Sequence, residues 1–272
     1  LTLTVTVGDL HAITPSADLE WGGSIFNPLS YQVARTNGVP VEGVVLTSRG
    51  YAMSAAGVLS SSVITHIDGS PVPTLEALEA ALAARPDGAD VVVRSFSISN
   101  PRRENVDVVR ADRTWFPMQR CEQAEERWQC VASPAAPAPE PVAVEQTSWP
   151  EVPDRIARKV AQSLVVVDFD IPFRTDGAHG ALFKGAGVVV DAEQGLVAVD
   201  RDTVPIMLGD VTITFAGSVA VSGEVLWLHP EHNIALIRYD PAHIGTTPVQ
   251  SATLSPEPLE VGDRVWQVGL SS

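Results

Sequence analysis

Between residues 164 and 240 six short apolar runs follow one another, each closed by a polar or glycine-containing turn, and this spacing restricts the fold more than any other feature. The runs are Leu164 to Phe169, Gly185 to Val190, Leu196 to Asp200, Val211 to Phe215, Val219 to Leu228 and Ile234 to Tyr239. Six antiparallel strands with short connections are what one small closed barrel requires. Gly185-Ala186-Gly187 is too short for a phosphate loop and lacks the lysine and helix that would follow one, so its glycines are read as places where strands pack closely.

Three stretches in this region carry a family resemblance. They are Gly185-Ala186-Gly187-Val188-Val189-Val190-Asp191, Gly195 to Val204, and His232-Asn233-Ile234-Ala235-Leu236-Ile237-Arg238-Tyr239-Asp240. Together they resemble the first barrel of trypsin-like serine proteases of the HtrA/Deg family. The resemblance carries the catalytic histidine position onto Asp202 and the catalytic aspartate position onto Asn233. A carboxylate cannot replace imidazole as the base that relays a proton from serine to the leaving group, and an amide cannot stabilise an imidazolium. No Gly-x-Ser-Gly-Gly occurs, and the sequence closes at Val268-Gly269-Leu270-Ser271-Ser272. Val261-Gly262-Asp263-Arg264-Val265-Trp266 matches the family's approach to its second barrel, and Asp154 to Leu164 matches a helical lead-in. Residues 150–272 are therefore expected to be a degenerate trypsin-like domain, first barrel only, with no catalytic residue.

Residues 1–118 read as a separate unit. Leu1-Thr2-Leu3-Thr4-Val5-Thr6-Val7 alternates as a strand does, Pro28 and Gly38 bracket a short helix, and Val41 to Leu46 and Val63 to Ile67 are strand-like. Thr74 can cap a helix with Leu75, Leu78 and Leu82 on one face, ahead of further strands at Val91 to Arg94 and Val106 to Val109. With Gly50 to Val58 leading into Val63-Ile64-Thr65-His66-Ile67-Asp68-Gly69, this stretch resembles the PDZ domains attached to HtrA/Deg proteases. The resemblance implies a peptide site: Gly38, Val39, Pro40 and Gly43 as a carboxylate loop, Val44, Val45 and Leu46 as the strand that accepts the peptide, and Leu75 and Leu78 as its wall. Read alone, three leucines on one helix face are core residues, and Pro40 has no N–H to offer a carboxylate.

Residues 119–149 are expected to form an aromatic, cysteine-bearing hairpin and a linker. Cys121 and Cys130 flank a Glu-rich turn and read either as a bridge across the hairpin or as two reduced thiols; a zinc site needs more ligands than stand nearby in sequence. Trp115, Phe116 and Trp128 are read as packing residues. Ser133 to Pro141 is a Pro/Ala-rich spacer that cannot build a core.

Eighteen Lys+Arg against thirty-three Asp+Glu give a net charge of −15, which argues against nucleic-acid binding, and no apolar run is long enough to span a membrane as a helix. His229-Pro230-Glu231-His232 reads as a turn rather than a metal site, and His11, His66, His179 and His243 stand alone. Asp191, Asp200 and Asp210 read as solvated strand-end acids. No cofactor or metal motif is present, and the sequence gives no compartment.

The whole layout, mainly β with a few helices, resembles the long, duplicated HtrA/Deg proteins. It implies a non-catalytic regulatory, peptide-binding and scaffolding segment of an endopeptidase of protein quality control, cut from a longer chain. The implied partners are polypeptide C-termini or unfolded substrates, an active N-terminal protease domain of the parent, and further copies of itself. The alternative is a peptide-binding adaptor or chaperone-like module whose parent is not a protease.

Overall fold

The computed structural model describes residues 3–9, 11–125, 127–138, 144–174 and 180–269. The chain divides into two compact units, 1–141 and 142–272. The stretch Ser133 to Pro141 lies partly outside the described residues, as do His179 and Leu270-Ser271-Ser272.

The first unit comprises β1 (Ala17–Trp21), β2 (Ser24–Pro28), α1 (Tyr31–Asn37), β3 (Val44–Ser48), α2 (Ala52–Ala55), β4 (Ser62–Ile67), β5 (Ser70–Pro71), α3 (Leu75–Ala83), β6 (Asp90–Ser97), β7 (Asn100–Arg110), β8 (Gln119–Ala124) and β9 (Arg127–Ala132). The strands run β7-β6-β4-β3-β2-β1-β8-β9 across one sheet, with β5 paired to β4. The Thr74 hydroxyl accepts from Ala77 N, as its capping role requires, while α1 is capped by Ser30 and closed by Gly38 in the left-handed conformation; Pro28 ends β2 instead of starting the helix. Leu75, Leu78 and Leu82 are buried in a core with Leu19, Trp21, Phe26 and Leu46.

The alternation of Leu3 to Val7 does not give the expected strand. These residues pair with nothing and stay exposed, because no sheet edge is placed beside them. The first strand is instead Ala17–Trp21, which folds back on β2 through Gly22-Gly23. The cysteine hairpin joins the same sheet, since β8 pairs antiparallel with β1.

The second unit opens with α4 (Arg155–Ala161), whose Ile156 and Ala157 N–H groups donate to Asp154 Oδ1. It continues with β10 (Leu164–Asp170), β11 (Leu182–Asp191), β12 (Leu196–Val199), β13 (Asp210–Phe215), β14 (Val219–Leu228) and β15 (Ala235–Tyr239), which close into an antiparallel barrel in the order β10-β11-β12-β15-β14-β13. Alternate residues point inward: Val165, Val167 and Phe169 meet Val211, Ile213 and Phe215 across the β10–β13 register. Gly187 faces this interior where a Cβ would stand 2.6 Å from Val197 Cγ1 and 2.9 Å from Val165 Cγ2, so only glycine lets the walls approach. Before α4, Thr147 N donates to Thr247 Oγ1 and Trp149 Nε1 to Pro248 O, which ties 144–149 to this unit. Beyond the barrel Val261 to Gly269 forms no strand, and Val261, Val265 and Trp266 are exposed.

Candidate functional site

The two positions singled out in the barrel do meet. The turn after β12 is fastened by Asp200, whose carboxylate accepts from Thr203 N at 2.8 Å and from the Thr203 hydroxyl at 3.1 Å. This presents Arg201 and Asp202 toward the residue preceding Ile234. Asn233 Nδ2 donates to Asp202 Oδ2 at 3.1 Å, and its Oδ1 accepts from Arg201 N at 2.7 Å. Arg201 Nη1 in turn donates to His229 O at 2.9 Å. Asp202 and Asn233 are exposed. The Asn233 amide is held as donor to one neighbour and acceptor from the other, and it exchanges no proton.

His229 and His232 lie with ring centroids 4.4 Å apart, but His229 Nδ1 already accepts from Glu231 N and His232 N. That nitrogen builds the turn.

The residues assigned to a peptide groove are placed otherwise than expected. β3 has both edges paired, Val44 with Pro28 and Ile64, Val45 with Asn27 and Val63, and Leu46 with Phe26. No strand can add beside Val44, Val45 and Leu46. Three donors of the loop before them are used: Gly38 N gives to Arg35 O, Val39 N to Ala34 O and Gly43 N to Pro73 O. Pro40 has none, so the four positions assigned to the carboxylate loop offer it no spare N–H. Leu75 and Leu78 are buried under the sheet. Helix α3 lies against β1, β2 and β4, and β8 covers the edge of β1 that β2 leaves open. Arg120 of β8 seals this side by pairing with Glu76 at 2.5 Å and with Glu79 at 3.5 Å. That contact holds the Glu76 carboxyl down at about 2, chiefly through its hydrogen bond to Arg120.

Cys121 and Cys130 stand opposite each other in the β8–β9 register and are joined as a disulfide. Asp18 and Glu20 of β1, which sequence reading passed over, come up beside them. The signal that could have found them is the Gly22-Gly23 turn between two alternating runs.

A family model described as a PDZ-like domain matches residues 12–88. Over 277 residues the whole chain is 34% identical to the "Pro-apoptotic serine protease NMA111" of Coccidioides immitis. The chain is related to the HtrA-like serine proteases. The relationship recurs at 35% identity over 97% of the chain in Aspergillus clavatus and at 33% over 99% in Yarrowia lipolytica, under the same protein name. The chain spans about a quarter of the length of the curated relatives it matches, from 26% to 29% in these three.

Proposed function

We propose that this chain is a non-catalytic scaffolding and regulatory segment of an HtrA-like serine endopeptidase. The observation that carries the reading is the Asn233–Asp202 hydrogen bond: the contact of a catalytic pair is kept while the proton chemistry is replaced. The names of the relatives favour a protease parent over an adaptor with another parent. Catalysis then belongs to other parts of the parent, and this segment contributes a closed barrel and a PDZ-like unit in which β8 covers the outer edge of β1.

Incubation of the purified chain with casein, with and without a serine-directed inhibitor, tests this. No cleavage above the inhibited control is expected, and inhibitor-sensitive cleavage overturns the proposal.

A further inference from the structure

The β1–β8–β9 corner places four metal-ligating side chains on one face of the sheet. Asp18 pairs with Cys121 in register, Cys121 pairs with Cys130, and Glu20 is two residues along β1 from Asp18, hence on the same side. One ligand atom each from Asp18, Glu20 and Cys121 already lies within 4.8 Å of the other two. Asp18 Oδ1 is buried and accepts no hydrogen bond, and neither Asp18 nor Glu20 has an ion pair among the described residues. Glu20 is oriented from outside the cluster by Gln119 Nε2, which donates to its Oε2 at 2.6 Å. Two carboxylates held within ligand distance of each other, one with a buried oxygen that accepts no hydrogen bond from the described residues, favour a positive charge between them.

We infer that this corner is a reduction-gated site for a thiophilic divalent cation of the Zn2+ class, with Cys121, Cys130, Asp18 and Glu20 as ligands. In the oxidised chain the two sulfurs are bonded to each other and cannot bind as thiolates. A dithiol reductant supplies two electrons and two protons, breaking the S–S bond into two thiols while the reductant becomes a disulfide. Metal binding then displaces both thiol protons and gives two thiolates at about 2.3 Å from the ion, with two carboxylates completing a tetrahedral S2O2 set. The ladder of β8 with β1 and β9 keeps the ligands in register after reduction, because every ligand sits on a paired strand. Mixed thiolate and carboxylate donors suit Zn2+ over the harder Mg2+ or Ca2+.

Cobalt(II) is the probe. Titrating Co2+ into the phosphine-reduced full chain should produce a sulfur-to-cobalt charge-transfer band and tetrahedral visible bands saturating at one equivalent, both erased by Zn2+. The oxidised chain should give neither. The D18N/E20Q variant, which leaves both cysteines and the disulfide in place, should bind at least about tenfold more weakly. Absence of the charge-transfer band in reduced protein overturns the inference. So does a band whose affinity is unchanged in D18N/E20Q, which would make the thiols sufficient without the carboxylates. Loss of the β-sheet circular dichroism signal on reduction overturns it as well, since the site requires the intact three-strand face.

Discussion

Asn233 Nδ2 lies 3.1 Å from Asp202 Oδ2, joining two residues 31 positions apart. The same amide accepts from Arg201 N, so the pair fastens the turn after β12 to the start of β15. Asn233→Ala is expected to cost about 1 kcal/mol of stability in urea unfolding, the value of a partly exposed hydrogen-bonded group. N233D should cost more at pH 7 than at pH 3, because it sets two carboxylates against each other until one takes a proton. Equal losses at both pH values would show that the contact with Asp202 is not made.

Gly187 is a tight point of the barrel wall. Adding a methyl group there drives it into Val197, Val165 and Val167, three β-branched side chains without room to turn. Gly187→Ala should therefore destabilise the second unit by about 1–3 kcal/mol, read by thermal or denaturant unfolding.

Tyr239 is buried at the end of β15, edge-on to Phe215 with ring centroids 4.8 Å apart, and its hydroxyl has no partner among the described residues. Burial first, and the Asp191 carboxylate second, push its hydroxyl up to about 12 from 10.0. A raised acid binds more protons in the folded state, so its stabilising contribution is complete below pH 10 and is lost as pH rises through 12. Tyr239→Phe should flatten the fall in stability between those two values, measured by unfolding at stepped alkaline pH.

The Cys121–Cys130 bridge closes a loop of nine residues. By the loop-entropy account its removal costs about 2–3 kcal/mol. C121S/C130S should speed amide exchange in β9, whose six residues are all exposed, while β2 and β3 exchange as before.

Peptides with a free C-terminus, each paired with its amidated twin, should show no carboxylate-dependent anisotropy change on titration with the chain. The donors at Gly38, Val39 and Gly43 are spent on backbone carbonyls, and β3 has no open edge. Carboxylate-dependent binding that disappears on changing Val45 would contradict this.

The barrel strands were legible because each is bounded by a turn residue and carries its own inward alternation, as in Val211, Ile213 and Phe215. Helix α3 was legible from Thr74 and its leucines for the same local reason. What escaped depends on partners distant in sequence. Alternation at Leu3 to Val7 marks strand propensity without supplying a neighbour, whereas Ala17–Trp21 becomes a strand beside residues about a hundred positions later. The peptide loop failed in the same way: whether the Gly43 N–H is free is decided by Pro73 O, which no spacing rule displays. Asp202 and Asn233 stand in contact, and a family pattern, rather than local physics, pointed to both. Asp18 and Glu20 were missed because their neighbours are cysteines on another strand.

The position of β1 between β2 and β8 has a consequence for biosynthesis. A growing chain can fold Ala17–Trp21 onto Ser24–Pro28 soon after both emerge, yet the outer edge of that hairpin stays bare until Gln119–Ala124 has been made. At ordinary translation speeds the wait is about 5–20 s. During it the nascent chain shows an unpaired strand edge backed by Leu19 and Trp21, the kind of surface that neighbouring nascent chains capture. The last hairpin of the first unit is thus also its seal, and shortening the chain before Gln119 should turn a foldable unit into an aggregating one.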